Sequence, residues 1–391
     1  MTKRPLMLLY LIVFFMMLIF NSTFTLLPLY LIALGGTPFI AGLQTALFLL
    51  ASILMRFYFG PLADSIGRKV PLLVGIVCFS ISSFLFSFTD QIWTIGLVRL
   101  IQAAGLSAFL SSSMSAAADL APVGKIGAVM GTYRLSSTLS LLVGPALAIS
   151  VVRLTSYNTW FILCGIIGLL SVLILLPIPL THTKRSLNAP PAMKMWHVLF
   201  RPEYRLVYFG IALTAVSYGA LLSFVSLHIQ SVTTIDNPGI YFVFFGIASL
   251  FFTFLSGHLS DRLGRAAIAW PSILLLGIGL GLLSLLEYGQ WTVLILSSFL
   301  TGIGFNGGLS VLSAWLVDIT SVDQRATVLS VQESIIDFSI GFISFTFGSL
   351  SILTDFSLAF LVTGGIIGGL GLFYSFSLFY SKKNKPSGRI H

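Results

Sequence analysis

This chain is nearly without charge. Only 8% of its residues are Asp, Glu, Lys or Arg, against about 25% in a soluble domain, so most of its length cannot face water. Carboxylates are the scarcer sign, 12 acidic residues against 21 basic. There are two cysteines, Cys78 and Cys164, which excludes a disulfide framework and a cysteine metal site; both lie in apolar runs and read as small packing residues. The chain also lacks a phosphate-binding P-loop, HExxH, CxxC and a nucleophile elbow. GGIIGGLG at 364–371 is glycine-rich but has no following Lys-Ser/Thr, and reads as helix packing. These absences point away from an enzyme, ATP use, a metal site and an organic cofactor. A cleavable signal is missing too, because the first apolar run is too long for an h-region and has no small-residue cleavage site.

What the chain does have is apolar length. Hydrophobic residues make up 57% and the mean hydropathy is +1.01. Apolar windows predict twelve spans near 7–33, 39–59, 70–88, 91–117, 126–152, 156–178, 204–231, 239–256, 267–286, 290–316, 326–350 and 356–380. Each approaches or exceeds the roughly 20 residues that cross a bilayer as a helix, and helices satisfy their own backbone in lipid. The expected fold class is an all-α membrane protein, twelve transmembrane helices in two pseudo-symmetric six-helix bundles.

The net charge of +9 is distributed by loop rather than gathered into a nucleic-acid surface. Lys3, Arg4, Arg68, Lys69, Lys125, Lys184, Arg185, Lys194, Arg201, Arg262, Arg265, Arg325, Lys382, Lys383, Lys385 and Arg389 occupy alternate connections and the two termini. Asp90, Asp236, Glu287 and Asp355 occupy the others, with Arg153 the one basic exception. By the positive-inside rule both termini are cytoplasmic and the chain is a multi-pass protein of the plasma (cytoplasmic) membrane. The longest polar stretch, THTKRSLNAPPAMKMWHVLFRPE at 181–203, separates six spans from six. The expected organisation is an N-terminal bundle at 1–180, a cytoplasmic linker at 181–203 and a C-terminal bundle at 204–391. Within the linker Trp196, Val198, Leu199 and Phe200 fit a short interfacial helix; an unstructured connector fits as well.

The two halves resemble each other. GPLADSIGRK at 60–69 returns as GHLSDRLGRA at 257–266, an offset of 197 residues. ADLAPVGKIGAVMG at 118–131 resembles VDITSVDQRATVLS at 317–330 at an offset of 199, which Gly105 and Gly304 share. Parallel repeats of six helices are a known transporter design. Gly60 and Gly67 permit a tight turn in the first copy; Gly257 and Gly264 stand at the same places in the second.

On these residues the chain resembles the major facilitator superfamily, whose G-x-L-a-D-r-x-G-r-K loop joins helices two and three and returns between helices eight and nine. The resemblance implies that Arg68 pairs with Asp119 and Arg265 with Asp318. It also implies that Asp64, and less completely its counterpart Asp261, form a conformational gate that breaks as the halves rock. Asp64 is expected to face the start of span eleven, where Ser321-x-x-Gln324 has a capping-box pattern; an alternative is that the positive loop residues merely set orientation.

Ionisable residues inside spans are functional candidates, because lipid makes them costly. Arg99 lies nine residues past Asp90, about 13 Å deep at the helical rise. The run RLIQAAG (99–105) resembles the superfamily's R-x-x-q-G stretch, which implies proton coupling; a buried arginine bonded to backbone carbonyls is the plainer reading. Arg134 lies at a similar depth in span five. Glu333 and Asp337 stand i, i+4 on one face of span eleven, where two acids in a low dielectric suit a reversible proton carrier; an ion pair that fixes packing, with Arg56 as one partner, is the alternative. Glu333 is the repeat counterpart of Arg134. In span five Gly131, Ser140, Gly144, Pro145 and Ala148 follow the spacing of the superfamily's exporter signature, with two glycines replaced. LLPLY (26–30) resembles its P-x-Y end of helix one. His228 reads as an interfacial ring.

Together these readings predict a secondary transporter that resembles drug:proton antiporters: proton-coupled efflux of a small amphipathic molecule by alternating access, driven by a proton gradient, in a monomer whose partners are substrate, protons and the bilayer. A proton-coupled importer of a sugar, organic acid or peptide uses the same fold. A non-transporting receptor or scaffold is the alternative of another class.

Overall fold

A computed structural model describes residues 4–122, 125–180, 195–321 and 324–383. Its described elements are α1 (Arg4–Ala33), α2 (Pro38–Ile66), α3 (Lys69–Ser87), α4 (Ile92–Asp119), α5 (Ile126–Leu154), α6 (Tyr157–Leu175), α7 (Met195–Leu199), α8 (Pro202–Val232), α9 (Ile240–Leu263), α10 (Arg265–Leu282), α11 (Gln290–Asp318), α12 (Arg325–Leu353) and α13 (Phe356–Lys383). Because α7 is a short helix of the linker, span seven is α8 and so on to span twelve, α13. Eleven of the helices are long and apolar enough to cross a membrane, and α9 makes a twelfth when Ile240–Thr253 and Leu255–Leu263 are taken together. No strand occurs among the described residues.

Local chemistry sets several helix starts. Thr37 accepts from Ile40 N–H and Pro38 takes the first helical position of α2. Ser156 accepts from Thr159 N–H at 3.2 Å to start α6, and Asp355 accepts from Leu358 N–H at 2.7 Å to start α13. The expected short helix of the linker is present as α7, with Val198 fully buried; residues 181–194 lie outside the described residues.

The chain packs into two compact units. The first holds Met1–Pro190, Leu222–Gly246 and Gly341–Leu353; the second holds Pro191–Leu221, Ile247–Ile340 and Thr354–His391. Within the first, α3 packs on α4 and α6, and α1 on α5. Within the second, α10 packs on α11 and α13. The α3 and α10 partners are the same by repeat position, and individual contacts correspond. Gly105 lets α4 approach α3, where a Cβ would stand 3.1 Å from the Gly75 carbonyl; Gly304 lets α11 approach α10, where a Cβ would stand 2.6 Å from the Ser272 carbonyl. The Tyr10 hydroxyl donates to the Val129 carbonyl at 3.3 Å. The Tyr208 hydroxyl donates to the Val328 carbonyl, also at 3.3 Å. The duplication read from sequence is therefore a duplication of packing.

Glycine replaces side-chain packing where backbones nearly touch. A Cβ at Gly364 would stand 2.5 Å from Gly281 N, whereas one at Gly365 would meet nothing within 4 Å. Gly364→Val should therefore lower the melting temperature of the purified protein by several degrees, an overpacking cost of about 1–3 kcal/mol, while Gly365→Val leaves it unchanged. Equal melting of the two variants would refute close α10–α13 packing.

Candidate functional site

The repeated segment is built differently from the loop its sequence suggested. Residues 60–66 complete α2 and Gly257–Leu263 complete α9, so Gly60 and Gly257 are helical and make no turn. The turn is one glycine in each copy: Gly67 at φ 91°, ψ 167° and Gly264 at φ 91°, ψ 149°. Such values are strained for any residue with a Cβ. A single residue of that conformation reverses the chain and drops the following arginine beside the end of the preceding span's neighbour.

Arg68 Nε lies 3.4 Å from Asp119 Oδ2. In the second copy Arg265 Nε donates to Asp318 at 2.9 Å, and its Nη1 reaches Asp261 at 2.6 Å and the Ser260 hydroxyl at 2.7 Å. Each arginine thus bonds inside its own unit. The side chain of Asp64 lies outside the described residues. At the start of α12, Gln324 does not close a capping box; its side-chain oxygen accepts from Arg201 at 3.1 Å.

Arg99 forms the most unusual centre. Its side chain is 2% exposed in the middle of α4. One terminal nitrogen donates to Gln102 Oε1 and the other to Thr45 Oγ1, each at 3.2 Å. The guanidinium carbon sits 4.3 Å from the Phe48 ring centroid and 5.6 Å from that of Phe24. Nε and Gln102 Nε2 lack hydrogen-bond partners. Among the described residues no carboxylate pairs with this cation, so its stabilisation rests on ring faces, about 2 kcal/mol or more when desolvated, and on neutral dipoles. Side chains, not backbone carbonyls, hold it. Gln102 stands i+3 from Arg99 and is visible in the sequence. Thr45 and Phe48 on α2 and Phe24 on α1 carry no sequence signal, because only tertiary packing brings them there.

Helix α5 presents its signature on one packing face. A Cβ at Gly144 would stand 3.3 Å from the Leu18 carbonyl of α1, and Ser140 accepts from Asn21 at 3.1 Å. Pro145 follows within the helix. Gly131, by contrast, faces open space, and Arg134 is exposed. Near the other end of α1, the Tyr30 hydroxyl reaches the Thr89 carbonyl and Asp90 at 3.1 and 3.2 Å. On α12, Asp337 is 8% exposed, one turn beyond the half-buried Glu333. His228 is not an interfacial ring: it is fully buried in α8.

Comparison with known proteins agrees with this geometry. The sequence profile of the Major Facilitator Superfamily matches residues 9–236 and 207–390. The chain belongs to the major facilitator superfamily. This superfamily member is 25% identical over 260 residues to a bicyclomycin resistance protein homolog of Haemophilus influenzae, covering 63% of this chain and 65% of that protein. It is 24% identical over 317 residues to the quinolone resistance protein NorA of Staphylococcus aureus, covering 78% and 79%. Among solved structures, the nucleoside transporter NupG (D323A mutant) superposes with a TM-score of 0.82 at 16% identity, over 96% of this chain and 100% of that one. A bacterial homolog of the lysosomal transporter Spinster gives 0.80, also at 16% identity, over 96% and 97%. The protein is a multi-pass membrane transporter of small molecules, not an enzyme.

The Arg99 centre separates a packing role from a working one. Removing a desolvated cation that has no carboxylate relieves a solvation cost. Arg99→Leu should therefore melt no lower than the parent, while losing transport. A drop of more than about 4 °C, on the order of 1 kcal/mol or more, with transport retained would assign Arg99 to packing alone.

Proposed function

We propose that this transporter exports small amphipathic molecules in exchange for protons. The observation that carries the reading is the pair of carboxylates on one face of α12, with Asp337 buried within the span. Two carboxylates one turn apart in a span, one of them buried, suit groups that take a proton from one side and yield it to the other. The resistance proteins among the relatives, and the retained Gly144-Pro145 step of α5, support export. In this reading the halves 1–180 and 204–391 rock about a midplane site, the glycine-turn segments lie on the cytoplasmic side with both termini, Asp64 and Arg68 serve the gate, and Arg99 and Arg134 accompany the carboxylates in coupling. The working unit is a monomer in the plasma membrane, and the proton gradient is its energy source.

Glu333→Gln or Asp337→Asn should abolish substrate-driven proton movement in proteoliposomes while leaving the melting temperature within a few degrees of the parent. Unchanged coupling in both variants would remove these residues from the mechanism. Direction is read separately in inside-out vesicles: an exporter accumulates a fluorescent amphipathic cation when the lumen is acid, and accumulation driven by the opposite gradient would overturn export.

A further inference from the structure

Arg99 is the most deeply buried arginine among the described residues, and α2 fixes its place. Gln44 Nε2 donates to the carbonyl of Ile92, the first residue of α4, at 2.7 Å. Thr45 Oγ1 accepts from Arg99 at 3.2 Å. Phe48 stands three residues beyond Thr45, on the same side of α2, and sets its ring centroid 4.3 Å from the guanidinium carbon. Phe48 is fully buried and is itself walled in. The Phe24 ring meets it edge-on at 6.2 Å, and the Phe20 ring lies at 6.3 Å with the planes 30° apart. Two rings of α1 therefore hold the ring of α2 in place.

Hydrogen bonds alone do not account for the cation. Its two bonds go to neutral oxygens of Gln102 and Thr45, and a desolvated charge needs more than neutral dipoles. The face of a phenyl ring is electrically negative, and its pull on a guanidinium grows as water is excluded. Phe48 thus does for Arg99 what Asp119 does for Arg68 and Asp318 for Arg265. One difference matters. A carboxylate takes the N–H edge of a guanidinium, whereas a ring takes its flat face and leaves the edge free. Two buried donors do remain unused at this centre: Arg99 Nε and Gln102 Nε2. An aliphatic side chain at position 48 would fill the same space and supply no negative face.

We infer that Phe48 is a positioning residue for transport: its ring stands in for a counter-ion and holds the Arg99 cation against α2, with Arg99 Nε and the Gln102 amide open to an oxygen acceptor that arrives during the cycle. Phe24, whose centroid is 5.6 Å from the guanidinium carbon, adds the smaller share. The inference rests on the coupling role given to Arg99 above, though the hold of the ring on the cation is measurable without any substrate.

The test replaces Phe48 by trifluorophenylalanine, which keeps the shape of the ring and weakens its negative face. The purified variant should melt lower than the parent, while the same replacement on an Arg99→Leu background should leave melting unchanged. In protein with isotope-labelled arginine, the Arg99 Nε–H resonance is identified by its loss in Arg99→Lys. It should move downfield in Phe48→Leu, where the shielding ring current is gone. In proteoliposomes given a fluorescent amphipathic cation, the fluorinated ring and Phe48→Leu should each slow substrate-driven proton movement at least about tenfold, on the order of one desolvated ring–cation contact, and Phe48→Trp should keep at least about a third of the parent rate. Melting that falls equally with and without Arg99, a resonance that stays in place, or proton movement unchanged by fluorination would each overturn the inference. If the parent moves no such cation, the export reading falls, and the melting and resonance comparisons decide whether Phe48 positions Arg99.

Discussion

A charge inside a bilayer has no water to fall back on, so each one must be held by the protein or excluded from it. Nearly every feature of this chain answers that constraint. The described cations nearest the apolar spans find oxygen or rings: Arg68 reaches Asp119, Arg265 lies between Asp261 and Asp318, and Arg99 lies among Gln102, Thr45 and two phenylalanines. These centres are not equivalent. The paired arginines retain some exposure, and partly exposed pairs contribute on the order of 0–1 kcal/mol. Their value is positional: they fix where each glycine turn lands. Arg99 is sealed, and among the described residues no carboxylate pairs with its cation, which is a costly arrangement to keep for packing alone.

The duplication gives that constraint a second use. Tyr10 and Tyr208, Gly105 and Gly304, and Gly67 and Gly264 do the same work in their respective units. Once such a frame is doubled, the places where the copies differ stand out against it. Arg99 has no counterpart cation, and the repeat counterpart of Arg134 is Glu333, of opposite charge.

Much of this was legible before any coordinates. Lipid imposes long helices, so spans follow from apolar length alone, and the resemblance to the superfamily implies the pairs Arg68–Asp119 and Arg265–Asp318, which the structure holds. What was not legible follows from what sequence cannot carry. GPLADSI reads as a loop because its Gly and Pro are turn residues in water, yet residues 60–66 stay helical and Gly67 alone breaks the helix. The rings over Arg99 come from α1 and α2, and no pattern within α4 announces them. Arg153 looked like an exception to charge placement until its partner Asp236, 83 residues along the chain, was in view.

One departure within the repeat shows how far a residue can be read from its neighbours. Lys69 in the first copy is Ala266 in the second, which looks like decay of the motif. Its contacts say otherwise. Lys69 Nζ donates to the Leu176 carbonyl at 2.8 Å and to the Ile178 carbonyl at 3.4 Å, just beyond the last residue of α6. Carbonyls at a helix C-terminus lack intrahelical donors and carry the negative end of the dipole, so a lysine there satisfies both needs. The corresponding helix of the second unit, α13, does not stop at that depth but continues to Lys383. Its carbonyls there are already bonded within the helix, and a lysine at position 266 would have no such end to cap. The substitution therefore follows from the length of the partner helix, and Arg265 keeps its place beside the end of α11 without it, held by Asp318, Asp261 and Ser260.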